Sequence, residues 1–269
     1  MVQDVVSAAN PTLKLLRSLH AKKHRQETGL FLAEGARCAI EAAEQGAWPE
    51  ILACTGAALE RPAVRALIAE AAGRGARVVR TSEALLTQVT RRDNPQTLVG
   101  AYRQRWTELD ALAGARRYVA LESIRDPGNL GTILRTADAA GAGGVILLAG
   151  GCDPFSVEAV RASMGSVFAV PVVRAEVGAF LAWRAQSAIA LIGLSLTGSG
   201  RMEEVSASGA ACLLMGNEQS GLPALLEEAC DARVRLPMAG AADSLNLAIA
   251  TGVALYGLWR AQGYDGATR

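Results

Sequence analysis

The sequence predicts an α/β protein of two domains, because short apolar strands alternate with helical patterns along the chain. The alternation is strongest in the second half, where it indicates a parallel sheet covered by helices on both faces. At 269 residues the chain is long enough to bury two cores. A segment that begins arginine-rich and becomes alanine-rich separates the halves. We therefore expect a first domain at 1–103, a linker at 104–116 and a second domain at 117–269.

The composition fits a soluble globular protein, with 51% apolar and 20% charged residues. The formal net charge of +1 excludes a protein that is basic throughout, so any nucleic-acid binding must come from a local patch. No signal peptide is recognisable, and no apolar stretch approaches the ~20 residues of a membrane helix. We expect a cytoplasmic protein without a zinc framework. Its five cysteines are expected to be reduced: Cys38, Cys54, Cys152, Cys212 and Cys230.

The first domain is predicted to begin with a helical pattern that Asn10-Pro11 opens and that extends to residue 26. Alternating elements follow, and no cluster of catalytic side chains accompanies them, so this domain suits binding. The remaining predicted strands are 31–33, 51–54, 77–81 and 98–102, and the helices are 36–45, 62–73 and 82–89.

The helical pattern at 12–26 carries the most concentrated positive charge in the chain and no acidic residue. Such a segment can neutralise phosphates, which favours RNA, although a solvated helix face is the commoner fate of a charge run. The candidate RNA-binding residues are Lys14, Arg17, Lys22, Lys23 and Arg25. His20 and His24 have a spacing that can bind a metal on a helix, but cations surround them and no thiol or acid is near, so no metal is expected.

The second domain is predicted to contain a parallel sheet, and ligands of such sheets bind at the carboxyl ends of the strands. Its informative loops there are 126–131, 195–200, 216–221 and 236–246, each rich in glycine or small polar residues. The predicted strands are 118–122, 145–148, 170–173, 189–194, 211–215 and 233–236. The predicted helices are 130–141, 157–164, 177–186, 223–228 and 244–262.

Several chemistries are disfavoured by what the second domain lacks. Neither a Gly-x-Gly-x-x-Gly loop after a first strand nor a Walker loop is present, which opposes a nucleotide-dependent oxidoreductase. Both histidines lie in the first domain, so a hydrolase with a histidine base is not expected either.

The loop after the predicted strand 118–122 contributes an amide and a guanidinium. Pro127 keeps Asp126 out of the helical region, so the loop lifts Asn129 to the rim of the sheet. If the helix starts near Leu130, Arg135 falls in its second turn and leans over the same rim. This pair predicts an anion or nucleotide site; the alternative is a tight turn with a solvated arginine.

Two further loops supply candidate residues. Glu218 lies between Gly216 and Gly221, where it can pair with an arginine or act as a solvated turn residue. Ser244 and Asn246 lie at the predicted start of the last helix, for which Asp243 or Ser244 is the expected N-cap. Asn246 is not needed as a cap there, which makes it a functional candidate.

Taken together, the loops resemble the SpoU/TrmH family of RNA 2′-O-ribose methyltransferases in the SPOUT superfamily. Three motifs match in order: Asn129-Leu-Gly-Thr-Ile-Leu-Arg-Thr-Ala with Gly141, then Met215-Gly-Asn-Glu-Gln-Ser-Gly221, then Leu236-Pro-Met238 with Ser244-Leu-Asn246. The first domain resembles the L30e-like RNA-binding domain of the family in Asn10-Pro with Lys14, in Phe31-Leu-Ala-Glu-Gly35 and in Asn94-Pro-Gln96. The resemblance covers nearly the whole chain.

The resemblance implies a deep trefoil knot in the second domain and a homodimer that shares its active site between subunits. It implies S-adenosylmethionine bound by backbone at Leu194, Gly216, Leu236, Met238 and Leu245. It also implies methyl transfer to a ribose 2′-hydroxyl of structured RNA, and 23S ribosomal RNA is the expected target. The catalytic residues carried over are Arg135, Asn129, Glu218, Ser244 and Asn246.

The hydroxyl must lose its proton as it attacks, and the ordinary pKa of arginine makes it a poor base. We therefore expect Arg135 to bind the target phosphate and to stabilise the developing alkoxide. Asn129 and Asn246 would orient Arg135 and the ribose, Glu218 would anchor the site electrostatically, and Ser244 would position the target. The alternatives are a transfer-RNA 2′-O-methyltransferase and a non-catalytic RNA-binding or ribosome-assembly protein on the same scaffold.

Overall fold

The structure is a computed structural model that describes residues 2–112, 114–196, 198, 200–205 and 209–268. The eleven strands that it gives in this part of the chain are β1 (Val2–Asp4), β2 (Leu30–Glu34), β3 (Ile51–Cys54), β4 (Arg77–Arg80), β5 (Leu98–Arg103), β6 (Arg117–Glu122), β7 (Val145–Leu148), β8 (Val172–Ala175), β9 (Ala190–Leu194), β10 (Ala211–Met215) and β11 (Ala232–Val234).

The α-helices of the same residues alternate with these strands through most of the chain. They are α1 (Pro11–Ser18), α2 (Lys22–Thr28), α3 (Ala36–Glu44), α4 (Gly56–Glu60), α5 (Pro62–Gly73), α6 (Glu83–Thr90), α7 (Pro127–Ala139), α8 (Val157–Ser163), α9 (Val177–Gln186), α10 (Ala224–Glu228) and α11 (Leu247–Ala261). No helix within the described residues has the length and apolar composition needed to cross a membrane.

The chain divides into two compact units that differ from the predicted domains in segment 155–169 and in the predicted linker, of which residue 104 joins the first unit and the rest joins the second. The first unit is Met1–Gln104 together with Phe155–Ala169, and the second is Arg105–Pro154 together with Val170–Arg269. Segment 155–169 joins the first unit because its aromatic rings pack there. The ring of Phe155 lies 5.0 Å from that of Phe31, and the ring of Phe168 lies 4.9 Å from that of Tyr102.

The first unit is built on a five-stranded mixed sheet in the order β1-β4-β3-β5-β2. Strands β1, β4 and β3 are parallel, whereas β5 is antiparallel to both β3 and β2. Strand β1 and helix α4 are absent from the sequence prediction. Each is short, and neither carries a hydrophobic pattern long enough to predict it.

The single helix predicted at 12–26 is wrong, because the chain forms α1 and α2 with a break at 19–21. Asn10 caps α1, with its side-chain oxygen accepting from the Thr12 N–H at 2.9 Å. The guanidinium of Arg25 donates to the carbonyl oxygens of Leu19 and His20 at 2.8 and 2.9 Å, which satisfies backbone groups at the break. His20 and His24 therefore do not share a helix face.

The second unit contains a six-stranded sheet, β11-β9-β10-β6-β7-β8, in which every described pairing is parallel. The prediction of an α/β fold with a parallel sheet is confirmed. Apolar side chains of the sheet and of α9 and α10 form its core. The carboxyl ends of β6, β9, β10 and β11 meet at one edge, so the loops that follow them converge there.

Three helix or strand ends in this unit differ from the prediction and affect the site. Helix α7 starts at Pro127 instead of near Leu130, because Asp126 caps it by accepting from the Asn129 N–H at 2.6 Å. Helix α11 starts at Leu247 instead of Ser244. Strand β11 ends at Val234, so Leu236 lies in the following loop.

Candidate active site

A cavity of about 730 Å³ lies at the carboxyl ends of β9, β10 and β11. Its walls come from the loops after these three strands, from Asn129 near the start of α7 and from the residues that lead into α11. Polar and apolar groups share the lining. The predicted residues among them are Asn129, Leu194, Gly216, Glu218, Leu236, Met238, Ser244, Leu245 and Asn246.

The loop after β10 is shaped by Asn217, a residue that the sequence analysis missed. Its backbone exchanges hydrogen bonds of 3.0 Å with Gly221, and its side-chain oxygen accepts from the Gln219 N–H at 2.9 Å. Its amide nitrogen donates to the Ser123 carbonyl at 2.8 Å, which ties this loop to the end of β6. A glycine and an asparagine after a buried strand, with another glycine four residues beyond the asparagine, form the turn signal that could have revealed it.

Gly216 opens the same loop at a point where no side chain fits. A Cβ atom there would lie 2.4 Å from the carbonyl carbon of Gly221 and 2.6 Å from the Leu222 nitrogen. Both neighbours are backbone atoms, which cannot swing aside as a side chain can. The first residue of the loop must therefore be glycine.

Three predicted catalytic residues form a hydrogen-bonded chain. Asn129 donates through Nδ2 to Glu218 Oε1 at 3.5 Å and accepts at Oδ1 from Asn246 Nδ2 at 2.9 Å. The Glu218 carboxylate can only accept, which directs the Asn129 nitrogen toward it. Asn246 Oδ1 accepts from backbone N–H groups of α11, which directs the Asn246 nitrogen toward Asn129. Each amide thus has a defined donor and acceptor.

The expected N-cap of the last helix is wrong. Asn246, not Asp243 or Ser244, caps α11, with Oδ1 accepting from the N–H groups of Ala248 and Ile249 at 2.9 and 3.3 Å. Ser244 is exposed and lines the cavity without capping. Asn246 therefore has a structural function in addition to its contact with Asn129.

A second carboxylate, Glu227 of α10, lines the cavity and was also missed. Ser195 Oγ donates to Glu227 Oε1 at 3.0 Å, which joins α10 to the loop after β9. Arg235 is the cationic residue of the lining. Glu227 lies on a short helix away from the motifs, so no pattern in the sequence selects it. Residues 197 and 199 of the predicted loop 195–200 lie outside the described residues.

Arg135 is the one predicted catalytic residue that the structure does not bring to the cavity. Because α7 starts at Pro127, Arg135 lies in the third turn, about 9 Å along the axis from Asn129 and about 240° around it. Its side chain is exposed, and no described residue forms a hydrogen bond or ion pair with it. The expectation that it leans over the same rim within one chain is therefore wrong.

The predicted RNA-binding residues fall into different environments. Lys14, Lys22 and Lys23 are exposed. Arg17 is half-buried and donates to the Ala8 carbonyl oxygen. Arg25 is only 4% exposed, so it stabilises the α1–α2 break and is removed from the candidates for RNA contact.

The histidines have other partners than a metal. His20 Nε2 is 2.8 Å from the Val89 carbonyl oxygen, and His24 Nδ1 is 3.0 Å from Glu27 Oε2. No group of three or more histidine, cysteine or acidic side chains suited to a metal occurs within the described residues.

A model described as the SpoU rRNA methylase family matches residues 116–256, which is more than half of the chain. The chain belongs to the SpoU rRNA methylase family. A model of an MRM3-like substrate binding domain matches residues 10–100. The predicted family is confirmed, and with it the predicted class of enzyme, an RNA methyltransferase.

Individual relatives match over nearly their whole length. The 23S rRNA (guanosine(2553)-2′-O)-methyltransferase of Bacillus subtilis is 32% identical over 96% of this chain and 99% of its own. A crystal structure of an AdoMet-bound rRNA methyltransferase from Sinorhizobium meliloti is 45% identical, covers 96% of this chain and 98% of its own, and has a TM-score of 0.90. The AviRb methyltransferase of Streptomyces viridochromogenes in complex with AdoMet is 30% identical over 96% and 100%, with a TM-score of 0.82.

Proposed function

We propose that this protein transfers a methyl group from S-adenosylmethionine to a ribose 2′-hydroxyl of 23S ribosomal RNA. The observation that carries the proposal is the convergence of four predicted catalytic residues and five predicted cofactor residues on one cavity. The full-length relative from Bacillus subtilis is named for 2′-O-methylation of 23S rRNA, and two similar structures are named for bound AdoMet. The predicted cytoplasmic location agrees with a ribosomal substrate.

The cavity fits S-adenosylmethionine in size and in charge. Its volume of about 730 Å³ lies within the ~300–1,000 Å³ of small-molecule sites. The cofactor carries a net positive charge at neutral pH, and among the described residues the lining contains the carboxylates Glu218 and Glu227 and one cation, Arg235. Apolar side chains suited to an adenine ring line it as well: Leu194, Leu196, Leu236, Met238 and Leu245. When bound, the cofactor supplies an activated methyl group on a sulfonium.

The hydrogen-bonded chain of Glu218, Asn129 and Asn246, here called the amide chain, fixes the side of the cavity that receives the ribose (the acceptor side). Glu218 orients Asn129, Asn129 is held in turn by Asn246, and Asn246 is fixed to the start of α11. Transfer of a methyl group requires an in-line approach of the attacking oxygen, so fixed groups of this kind raise the rate by positioning. Ser244, exposed at the cavity wall, hydrogen-bonds the target nucleotide.

Arg135 completes the site in a homodimer. Its helix α7 packs on α11, where Gly252 lies against Thr136, and α11 leaves an apolar stripe exposed. Ile249 and Val253 on this stripe are 54% and 50% exposed, which favours a partner surface. A second copy seated there supplies its own Arg135 to bind the target phosphate and stabilise the developing alkoxide.

The finer fold features are part of the same proposal. The first domain takes the L30e-like form, and the second domain contains a deep trefoil knot, a rare exception to unthreaded chains. Two hydrogen bonds join distant segments of the second unit: Gly200 N–H donates to the Arg233 carbonyl at 3.1 Å, and Arg235 N–H donates to the Gly200 carbonyl at 3.0 Å. The chain after β9 is thereby held along the chain of β11.

The exposed lysines of the first unit contact the RNA backbone. Lys14, Lys22 and Lys23 remain from the predicted basic segment, and Arg17 contributes in addition to its hydrogen bonds with the Ala8 carbonyl and the Gln88 side chain. A non-catalytic RNA-binding protein on this scaffold would not need Glu218, Asn129 and Asn246 to form a connected chain in the cavity. That chain favours an enzyme.

A methyl-transfer assay tests the proposal. Tritiated S-adenosylmethionine and 23S rRNA are incubated with the wild type, with Glu218→Gln and with Arg65→Ala, an exposed arginine outside the cavity. We expect label in the RNA with the wild type and Arg65→Ala, and a large loss with Glu218→Gln. Cofactor binding without any transfer to 23S rRNA, together with transfer to transfer RNA, would move the assignment to the transfer-RNA alternative.

A further inference from the structure

The first unit contains a second, smaller cavity that the methyl-transfer site does not use. It measures about 210 Å³ and lies between the loop that follows β2, residues 92 and 96, and helix α8. That volume corresponds to about seven molecules of liquid water. It is the size of one bicyclic ring and much smaller than a nucleotide chain. Its walls are Leu32, Glu34, Gly35, Arg37, Cys38, Arg92, Gln96, Val157, Val160, Arg161 and Met164.

The central polar group of this cavity is the carboxylate of Glu34. Its side chain is only 5% exposed, and it forms ion pairs with two arginines. Arg161 donates through one nitrogen to both carboxylate oxygens at 3.3 Å, and Arg92 lies 3.5 Å from Oε2. A carboxylate offers about four acceptor sites, two on each oxygen, and the hydrogen bonds from Arg161 use about one on each. Glu34 thus retains acceptor capacity at the wall of a cavity.

The other walls suit the faces of a planar ring. Leu32 and Val160 are buried and apolar, and Met164 is exposed enough to close over a ligand. Burial raises the pKa of the Cys38 thiol to about 12, with the Glu41 and Glu34 charges adding to the effect, so this side chain is a neutral wall. Gly35, at φ +96°, allows the Gln96 amide to pack within 3.2 Å of where a Cβ atom would lie.

The rim is cationic. Arg37, Arg92 and Arg161 line the cavity, and the side chains of Arg161 and Arg92 are 42% and 37% exposed. Solvent-exposed guanidinium groups bind phosphate and also stack on bases, which is how unpaired RNA nucleotides are commonly held. The cavity therefore combines an acceptor, apolar walls and a phosphate-binding rim.

We propose that this cavity binds one unpaired guanine of the substrate RNA, with Glu34 accepting from its N1–H and N2–H groups and the arginines contacting the flanking phosphates. Guanine is the standard base with two adjacent N–H donors on its Watson–Crick edge, which match the two oxygens of a carboxylate. Only the identity of the RNA rests on the proposed function. The site is distinct from the methyl-transfer cavity, because no residue lines both.

Methionine signals test this assignment in the intact protein. The chain has five methionines, so a sample labelled with ¹³C at the methionine methyl groups gives five resolved reporters. Met164 lines this cavity, whereas Met215 and Met238 line the methyl-transfer cavity. Met164→Leu assigns the first signal. GMP, AMP and inorganic phosphate are then titrated, and S-adenosylhomocysteine is titrated separately.

We expect GMP to shift the Met164 signal saturably and to bind about tenfold more tightly than AMP, since hydrogen bonds to a charged group are involved. Glu34→Gln should weaken GMP binding about tenfold and remove the preference. Arg161→Ala should weaken binding of the RNA substrate, and Arg65→Ala should not. S-adenosylhomocysteine should shift Met215 or Met238 and leave Met164 unchanged.

Four results would overturn the proposal. They are no Met164 shift with GMP, an equal shift with inorganic phosphate, equal affinity for AMP, or unchanged GMP binding by Glu34→Gln. In each of them, a shift of Met215 or Met238 by S-adenosylhomocysteine leaves the proposed function intact. Absence of that shift contradicts the proposed function separately.

Discussion

The two cavities of this protein differ in how their carboxylates are held. In the second unit, Glu218, Asn129 and Asn246 form a hydrogen-bonded chain that ends on a helix N-terminus. In the first unit, Glu34 is nearly buried and is paired with two guanidinium groups at the rim of its cavity, those of Arg161 and Arg92. The first arrangement is set before any ligand arrives, as chemistry requires. The second leaves acceptor capacity for a ligand, as recognition requires.

The difference follows from the architecture of the two units. The strands of the second unit are parallel, so the loops that follow them lie at one edge of the sheet. Residues far apart in sequence therefore lie close together there. The first unit has a mixed sheet, and its cavity is closed by α8, a helix that lies in sequence between the two segments of the second unit.

Gly216→Ala should disrupt the preformed cavity most strongly. The added Cβ atom meets the Gly221 backbone at 2.4 Å, so the loop must move. We expect the free energy of unfolding to fall by about 1–3 kcal/mol and cofactor affinity to fall about a hundredfold. Chemical denaturation and calorimetry measure the two. Gly178→Ala is the control, because its Cβ atom meets nothing within 4 Å and should be neutral or stabilising. Equal behaviour of the two variants would refute the account.

Asn129→Ala should interrupt the amide chain without adding atoms to the cavity. Glu218 and Asn246 then lose their common partner, so the acceptor side is no longer fixed. We expect kcat to fall about a hundredfold while S-adenosylmethionine affinity changes little. Steady-state kinetics with a calorimetric titration separate these effects. If kcat stays within about threefold of the wild type, the chain does not position the reaction.

Arg25→Ala and Lys22→Ala should separate stability from RNA binding within the basic segment. Arg25 is buried and donates to two carbonyl oxygens, so its loss should lower the free energy of unfolding by about 2–3 kcal/mol. Lys22 is exposed, so its loss should leave stability unchanged and reduce the salt dependence of RNA binding by about one phosphate contact. Denaturation curves and binding titrations at several salt concentrations measure both. A stable Arg25→Ala protein with weak RNA binding would restore Arg25 as a contact residue.

His20 should give the first unit a small dependence of stability on pH. Burial lowers the pKa of His20 below its ordinary 6.5, and the Arg91 and Arg161 charges lower it further against the raising effects of the Val89 carbonyl and Glu34. The neutral ring therefore stabilises the fold fully above about pH 6.5, and this contribution is lost as the pH falls below that value. Denaturation midpoints at about pH 7.5 and pH 5.5 should differ more in the wild type than in His20→Gln. An identical pH dependence of the two proteins would contradict the assignment.

The sequence predicts the parallel sheet and the cavity loops well, because buried strands and glycine-rich turns have local signatures. Prediction from the sequence fails where a side chain forms hydrogen bonds with backbone groups at a helix end. Asn246 caps α11 and Arg25 closes the α1–α2 break, and both functions depend on helix ends that pattern alone does not fix. The predicted position of Arg135 is wrong for the same reason. Helix α7 starts three residues earlier than predicted, so Asn129 and Arg135 lie in one helix and point in different directions.

The small cavity escaped the sequence analysis for a different reason. Glu34 belongs to a motif that suggests RNA binding, but Arg161 and Met164 lie more than a hundred residues later in the chain. Only the packing of Phe155 and Phe168 against the first unit brings α8 to Glu34. Long-range packing of this kind leaves no periodic signal in one sequence.

The most direct test of the central claim is the identity of the methylated nucleoside. 23S rRNA is incubated with the protein and S-adenosylmethionine carrying a deuterated methyl group, digested to nucleosides and analysed by mass spectrometry. We expect a labelled 2′-O-methylnucleoside that Glu218→Gln does not produce. A label on a base, or label on the ribose that persists in Glu218→Gln, would contradict it.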